Sequence, residues 1–300
     1  MEIKNFHNVS SNSIAILAGS GELPYYVTKS IVEQGEFPIL FLLEGNADVA
    51  LRNYVIQLDI PYVDLTIYDF SKLIRALKFC YVKKLVLAGG IKSRPDIKSL
   101  TFDMHNLYAI FRMLTALKRG DDFLLKKFIK LIESYGINVI GAQKVSPDLL
   151  SPTESVLTNK KPSNCDIKDI SLAIDFLAMV SPMDIGQAAV VTYNRVVALE
   201  GPEGTDNMLS RVALMRDMKK IPSNGGVLVK VTKLNQEERV DLPTIGVDTI
   251  ENVYKAGLNG IAIEANKSFI IDKDNVVRLA NRYGLFIVTL DMKRDKNTDV

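Results

Sequence analysis

Short apolar runs alternate with glycine turns and stretches of helical period along the first half of this chain, and that alternation limits the folds open to it. The run SIAILA at 13–18 feeds directly into Gly19-Ser20-Gly21-Glu22-Leu23-Pro24, and apolar positions at helical spacing follow to Val32. A run too short for a helix, then a turn, then a helical period, is strand, turn, helix. A second strand is expected at 37–43, a helix at 71–78 and a buried strand at 84–88 that stops at Gly89-Gly90. Helices at 107–117 and 123–135, separated by Arg119-Gly120-Asp121-Asp122, and a strand at 137–140 complete this half. Strands that alternate with helices build a parallel sheet with helices on its faces.

At 300 residues the chain exceeds the usual size of one core, so two domains are expected. The stretch 146–163 is rich in proline, serine and lysine, which marks a connection. The expected division is a Rossmann-like N-terminal domain at 1–145, a linker at 146–165 and a C-terminal α/β domain at 166–300. The second domain opens with a helix at 165–180. Apolar runs at 188–192 and 196–200 then flank Tyr193-Asn194-Arg195. That pattern predicts a hairpin, since asparagine tolerates positive φ, and brings antiparallel pairing into the second sheet. Helices at 208–218, 249–256 and 273–283 and strands at 227–231, 261–264, 269–271 and 285–288 complete the expected order. The fold class is α/β, a parallel-sheet domain followed by a mixed one.

Charge excludes one class of partner. The 37 basic and 35 acidic residues are interspersed and sum to +2, so no strong field gathers nucleic acid. Cys80 and Cys165 lie far apart with no CxxC spacing, which argues against a zinc knuckle or a disulfide framework and reads as two structural thiols. The first residues hold no apolar core of signal-peptide length, and no apolar run reaches the ~18 residues that a spanning helix requires. A soluble protein that at most touches a membrane surface is expected.

The chemistry-bearing residues concentrate between Glu203 and Gly246. A glycine-rich acidic turn, Glu203-Gly204-Thr205-Asp206-Asn207, precedes an apolar strand ending in Lys230, and a second acidic turn follows, Asp241-Leu242-Pro243-Thr244-Ile245-Gly246. Carboxylates on short turns suit Mg²⁺, which takes few protein ligands and keeps waters and phosphate oxygens for its other positions. A nearby lysine adds fixed positive charge for the phosphate. Proline after Leu242 biases the turn toward an extended, rigid form, so Asp241 is either a mounted metal ligand or the acceptor of a structural Asx-turn.

Two further turns carry alternatives. Gly19 and Gly21 follow a strand and open a helix, as in a dinucleotide fingerprint, but Pro24 stands where its third glycine belongs. The turn is read as a phosphate-facing loop or a plain tight turn, with NAD binding disfavoured. Gly89-Gly90-Ile91-Lys92 ends another buried strand, where ligands of open parallel sheets gather; Lys92 or Arg94 meets an anion there, or the glycines only cap. Asp121 and Asp122 read first as caps. Asp166 and Asp169, at i, i+3 on one helix, read as a solvated face. His7 and His105 form no ligand pair, and no GxSxG elbow is present, so histidine-based nucleophilic catalysis drops out.

Taken in order, the motifs AGSGELP, AGGIKSRP, RGDD, KPSNCDIKDI, DIGQAAVV, EGPEGTDNML, GGVLVKV, DLPTIG, GIAIEA and GLFIV resemble the LpxI-type UDP-2,3-diacylglucosamine pyrophosphatases of lipid A synthesis over nearly the whole length. The resemblance implies two α/β domains with the substrate between them. It implies Mg²⁺-assisted attack of water on the α-phosphorus, giving UMP and 2,3-diacylglucosamine 1-phosphate. The family's essential aspartate in DLPTIG carries to Asp241, which would bind the metal or orient the water. Glu203, Asp206 and Glu264 are the further metal or base candidates, and Lys230 is a phosphate contact. Thr205, Thr244, Gly19, Ser20, Gly21, Gly89, Gly90 and Lys92 are placed with the substrate. Pro202 departs from the more permissive residue usual before Glu203. The resemblance also implies a cytoplasmic protein in peripheral contact with the inner membrane of a Gram-negative bacterium, a homodimer being left open. A non-catalytic sugar-nucleotide-binding protein and a nicotinamide-dependent oxidoreductase are the competing classes.

Overall fold

The computed structural model describes residues 13–92, 121–233 and 236–291. The helix expected at 107–117, Arg94 and both histidines lie outside these residues. The chain forms two compact units, Met1–Asp148 and Leu149–Val300.

In the first unit, β1 (Ile14–Ala18), β2 (Ile39–Leu43), β3 (Tyr62–Leu65), β4 (Lys84–Ala88) and β5 (Asn138–Ile140) form a parallel sheet in the order β3-β2-β1-β4-β5. Helices α1 (Leu23–Glu33), α2 (Val49–Gln57), α3 (Phe70–Phe79), α4 (Asp121–Glu133) and the single turn α5 (Ala142–Val145) connect and follow the strands. Every residue of β1 and β2 is buried. Both faces of such a strand need cover, which is why both read as continuous apolar runs. The sequence pattern did not reveal α2 or β3. Only Leu51 and Val55 of α2 are buried, too few to show a period, and β3 is four residues long with Asp64 among them.

The second unit holds a six-stranded mixed sheet, β6-β13-β11-β9-β7-β8, built from β6 (Ser155–Val156), β7 (Ala188–Thr192), β8 (Arg195–Leu199), β9 (Val227–Lys230), β11 (Gly260–Glu264) and β13 (Phe286–Leu290). Strands β9, β11 and β13 are parallel, while β7, β8 and β6 add antiparallel pairings. Strands β10 (Thr244–Ile245) and β12 (Phe269–Ile270) form a separate parallel pair. Helix α6 (Asn164–Val180) covers one face, packing Ile170, Ala173 and Leu177 against Ala189, Val191, Val229 and Phe286. Helices α7 (Gly204–Asp217), α8 (Val247–Lys255) and α9 (Lys273–Arg282) cover the other, where Val212, Ile250 and Val276 meet Val190, Leu228 and Ile261. Each such side chain fully removed from water contributes about 1.5–3 kcal/mol before the entropy of ordering it is charged.

Two aspartates correct the expectation from sequence. Asp166 and Asp169 are buried rather than solvated. Asp166 accepts from the amide and hydroxyl of Ser163 at the start of α6 and from Asn259 Nδ2. Asp169 accepts the backbone amides of Tyr193 and Asn194, both at positive φ in the β7–β8 turn. An i, i+3 pair looks the same in sequence whether its face meets water or a neighbouring turn. Cys80 is buried as expected, whereas Cys165 is exposed.

Candidate functional site

In the first unit the two glycine turns meet each other. The order β3-β2-β1-β4-β5 reverses direction between β1 and β4, and the turns leave the carboxyl ends of those two strands. Gly19 donates to the Ala88 carbonyl at 2.8 Å, and Ser20 and Gly90 exchange amide-to-carbonyl bonds at 2.7 and 3.0 Å. A β-carbon on Gly19 would lie 2.2 Å from the Gly90 oxygen, and one on Gly89, at φ +83°, would lie 2.4 Å from the Ser20 oxygen. Glycine is therefore required at 19 and 89 for the backbones to approach. The amides of Gly19, Ser20 and Gly90 already donate to protein carbonyls. At Gly21, with φ +87°, an added β-carbon would have nothing within 4 Å, so backbone conformation alone accounts for it. The Lys92 amide donates to Asn46 Oδ1 at 2.8 Å, and its exposed ammonium lies 3.7 Å from Asp48.

In the second unit, Lys230 closes β9 and is buried. Its ammonium donates to Thr205 Oγ1 at 3.0 Å and to the Thr244 carbonyl at 2.9 Å. Thr205 stands in the first turn of α7, and Thr244 opens β10 directly after the proline of the second acidic turn. Three segments far apart in sequence thus converge on one nitrogen. Burial pushes the lysine's pKa down, and the charges of Glu200, Asp206 and Asp241 act against that shift. A buried ammonium is tolerated when hydrogen bonds and opposite charge offset its lost hydration.

Glu200, the first residue of EGPEGTDNML but not among the candidates read from it, belongs to this cluster. It follows β8, is buried, accepts the Thr205 hydroxyl at 2.5 Å and accepts the Gln187 amide at 3.1 Å. In sequence, VALEG reads as the end of an apolar strand, and the acidic residues that stand out are those of the turn that follows. Asp241 is half-buried, and Gln236 Nε2 donates both to its carbonyl and to Oδ2. Gln236 also donates to Gln187 Oε1 at 3.2 Å, so hydrogen bonds run from Glu200 through Gln187 and Gln236 to Asp241.

The other acidic candidates each have a partner of their own. Glu203 immediately precedes α7, and its exposed carboxylate pairs with Arg211 at 2.8 Å. Its own backbone amide, then Arg211, hold its pKa below the usual range. Asp206 accepts from Asn252 Nδ2 of α8 at 2.9 Å. Glu264 closes β11, is buried, and accepts from the amide and hydroxyl of Thr232 at 2.9 and 2.6 Å. Among the described residues, no group of three or more His, Cys, Asp and Glu side chains converges as a metal-holding set. The proposed ligands Asp241, Asp206, Glu203 and Glu264 are thus not assembled as a cation cage, while Asp206 and Asp241 share the surroundings of Lys230.

Fold and site define an α/β protein of two units, with a buried lysine among carboxylates and threonines at the carboxyl end of its second sheet's parallel strands. A sequence model of the LpxI N-terminal domain matches residues 13–149, and one of the LpxI C-terminal domain matches residues 153–288. The UDP-2,3-diacylglucosamine pyrophosphatase LpxI of Caulobacter vibrioides is 34% identical over 280 residues, covering 93% of this chain and 97% of that protein. The chain belongs to the LpxI family. Among solved structures, an isoflavone reductase aligns over 94% of this chain and 79% of its own at 12% identity, with a TM-score of 0.31; at that score the likeness says nothing about fold or function.

Proposed function

We propose that this chain hydrolyses the pyrophosphate of UDP-2,3-diacylglucosamine, releasing UMP and 2,3-diacylglucosamine 1-phosphate for lipid A synthesis. The supporting observation is the match across both domains to a relative that bears this activity in its name. The Lys230 cluster supplies suitable chemistry. An ammonium has three donors, and Lys230 spends two on Thr205 and Thr244. The third is available to a non-bridging phosphate oxygen, where a fixed positive charge in a water-poor site offsets charge that develops in the transition state.

Asp241 is assigned to hold the attacking water, its carboxylate steadied by Gln236. A divalent cation, if bound, would be held by Asp241 and Asp206, which both lie near Lys230, and would supply positive charge to offset that of the phosphates. Among the described residues no three such side chains group together, and the roles given to Lys230 and Asp241 belong to the chain's own side chains. With a lipid product, the working protein would meet the cytoplasmic face of the inner membrane. No helix among the described residues is long and apolar enough to cross a membrane, so that contact would be peripheral.

Phosphorus NMR of the purified protein with UDP-2,3-diacylglucosamine in detergent tests the reading. UMP and the sugar 1-phosphate are expected to appear and to be lost in Asp241→Ala. An EDTA arm tests the Mg²⁺ dependence. Running the reaction in ¹⁸O-water tests the site of attack, since attack at the α-phosphorus labels UMP and attack at the β-phosphorus labels the sugar phosphate. An unchanged pyrophosphate signal with folded wild-type protein would move the assignment to a non-catalytic sugar-nucleotide-binding protein.

A further inference from the structure

Glu200 and Lys230 occupy one row across the sheet, separated by Ala188. Ala188 pairs with Lys230 between β7 and β9, and the Glu200 amide donates to the Ala188 carbonyl at 2.8 Å. Residues opposite one another on adjacent strands project to the same face, and backbones two strands apart are about 10 Å apart. The side chain between them is only a methyl group, which belongs to the core under α7 and α8. Thr205, from the first turn of α7, fills the gap above it. Its single hydroxyl proton goes to Glu200 at 2.5 Å, which leaves its oxygen to accept from the Lys230 ammonium at 3.0 Å.

We propose that Glu200 is a positioning residue for Lys230, acting through the Thr205 hydroxyl to hold the ammonium with its third N–H presented to a phosphate oxygen of the substrate. The assignment rests on the pyrophosphatase reading and gives a role to a residue that the sequence reading left without one. A threonine hydroxyl donates or accepts according to its neighbours. With an ionised carboxylate on one side it has one arrangement, donor to Glu200 and acceptor from Lys230. Without that carboxylate the hydroxyl turns freely, and the lysine is anchored only by the Thr244 carbonyl. Glu200 also accepts the Gln187 amide at 3.1 Å, and Gln187 connects through Gln236 to Asp241. One buried carboxylate therefore orients the cation and adjoins the chain of bonds that steadies Asp241. Glu200 is also the carboxylate that most strongly favours the charged form of Lys230 against burial.

A purely structural Glu200, tying the end of β8 to α7, makes a different prediction from one that acts through the lysine. The experiment measures kcat and KM for UMP release by wild type, Glu200→Gln, Lys230→Gln and the double variant, with thermal unfolding of each. Glu200→Gln and Lys230→Gln should each lower kcat on the order of 100-fold. If Glu200 works through Lys230, the double variant should be no worse than Lys230→Gln, within about threefold. Losses that multiply in the double variant would overturn the proposal, as would wild-type kcat in Glu200→Gln.

Thr205→Val and Thr205→Ser carry the same test should Glu200→Gln fail to fold. Valine keeps the shape and removes the bridge, so its kcat should fall as in Glu200→Gln, while serine should restore it to within about threefold of wild type. Full activity in Thr205→Val, or equal loss in both, would overturn the proposal. A wild-type protein that releases no UMP fails at an earlier step, because it overturns the pyrophosphatase reading itself.

Discussion

The Lys230 ammonium meets the main-chain carbonyl of Thr244 at 2.9 Å, so the lysine at the end of β9 also anchors the turn that carries Asp241. Removing the lysine should therefore cost stability as well as turnover. In Lys230→Met, Glu200, Asp206 and Asp241 lose the cation they surround and the Thr244 carbonyl loses its donor. Breaking a buried charge arrangement from one side leaves the remainder uncompensated, and a loss of about 3 kcal/mol is expected. Urea denaturation measures it.

Gly89→Ala is expected to disrupt the first unit. Its φ of +83° disfavours any β-carbon, and that carbon would lie 2.4 Å from the Ser20 oxygen and 2.9 Å from the Pro24 ring. Backbone strain and a forced separation of the β1 and β4 turns together should cost about 3 kcal/mol or more. Denaturant unfolding measures the loss. Gly136→Ala isolates the conformational part, since φ there is +81° with nothing within 4 Å of the added carbon, and about 1 kcal/mol is expected.

Asp169→Ala strips both acceptors from the β7–β8 turn, leaving the amides of Tyr193 and Asn194 without the carboxylate they share. Tyr193 and Asn194 are exposed, so water reaches the freed amides in part, and a loss of about 1–2 kcal/mol is expected from two hydrogen bonds to a carboxylate. Asp169→Asn retains one acceptor oxygen and should recover roughly half of it. Hydrogen exchange offers a direct check: the two turn amides should lose protection in the alanine variant while amides of β11 keep theirs.

The two thiols should separate cleanly by reactivity. Burial pushes Cys80 up from the usual 9.0 to about 11, whereas Cys165 is exposed. At pH 8 an aromatic disulfide reagent is expected to modify Cys165 rapidly in the native protein and to reach Cys80 only after unfolding. The linkage has a definite sign. An unfolded Cys80 loses its proton near pH 9 while the folded one holds it toward 11, so the unfolded state binds fewer protons in that window. Stability should fall as the pH rises from about 9 to about 11, and a Cys80→Ala variant should lack this part of the decline.

Several elements were legible in the sequence because the signals for them are local. Continuous apolar runs exposed β1 and β4, while Tyr193-Asn194 between two apolar runs announced the antiparallel hairpin of the second sheet. The short β3 and weakly amphipathic α2 escaped notice because a handful of residues cannot display a period. In the site, the acidic turns and Lys230 stood out by type and spacing. Glu200 did not, because its importance comes from standing in one sheet row with Lys230 and from Thr205 bridging the two.

The amino-acid order by itself determined most of the strands, turns and helices, that the first sheet is parallel, and to which family the chain belongs. These follow from periodicity, backbone preference and shared motifs, all properties of neighbouring residues or of their order. Only the tertiary structure decided which carboxylates face the lysine, that Asp166 and Asp169 are buried acceptors, and that the two glycine turns bond to each other. Such facts depend on register and packing between distant segments, where burial strips away water and makes the choice of partner energetically decisive.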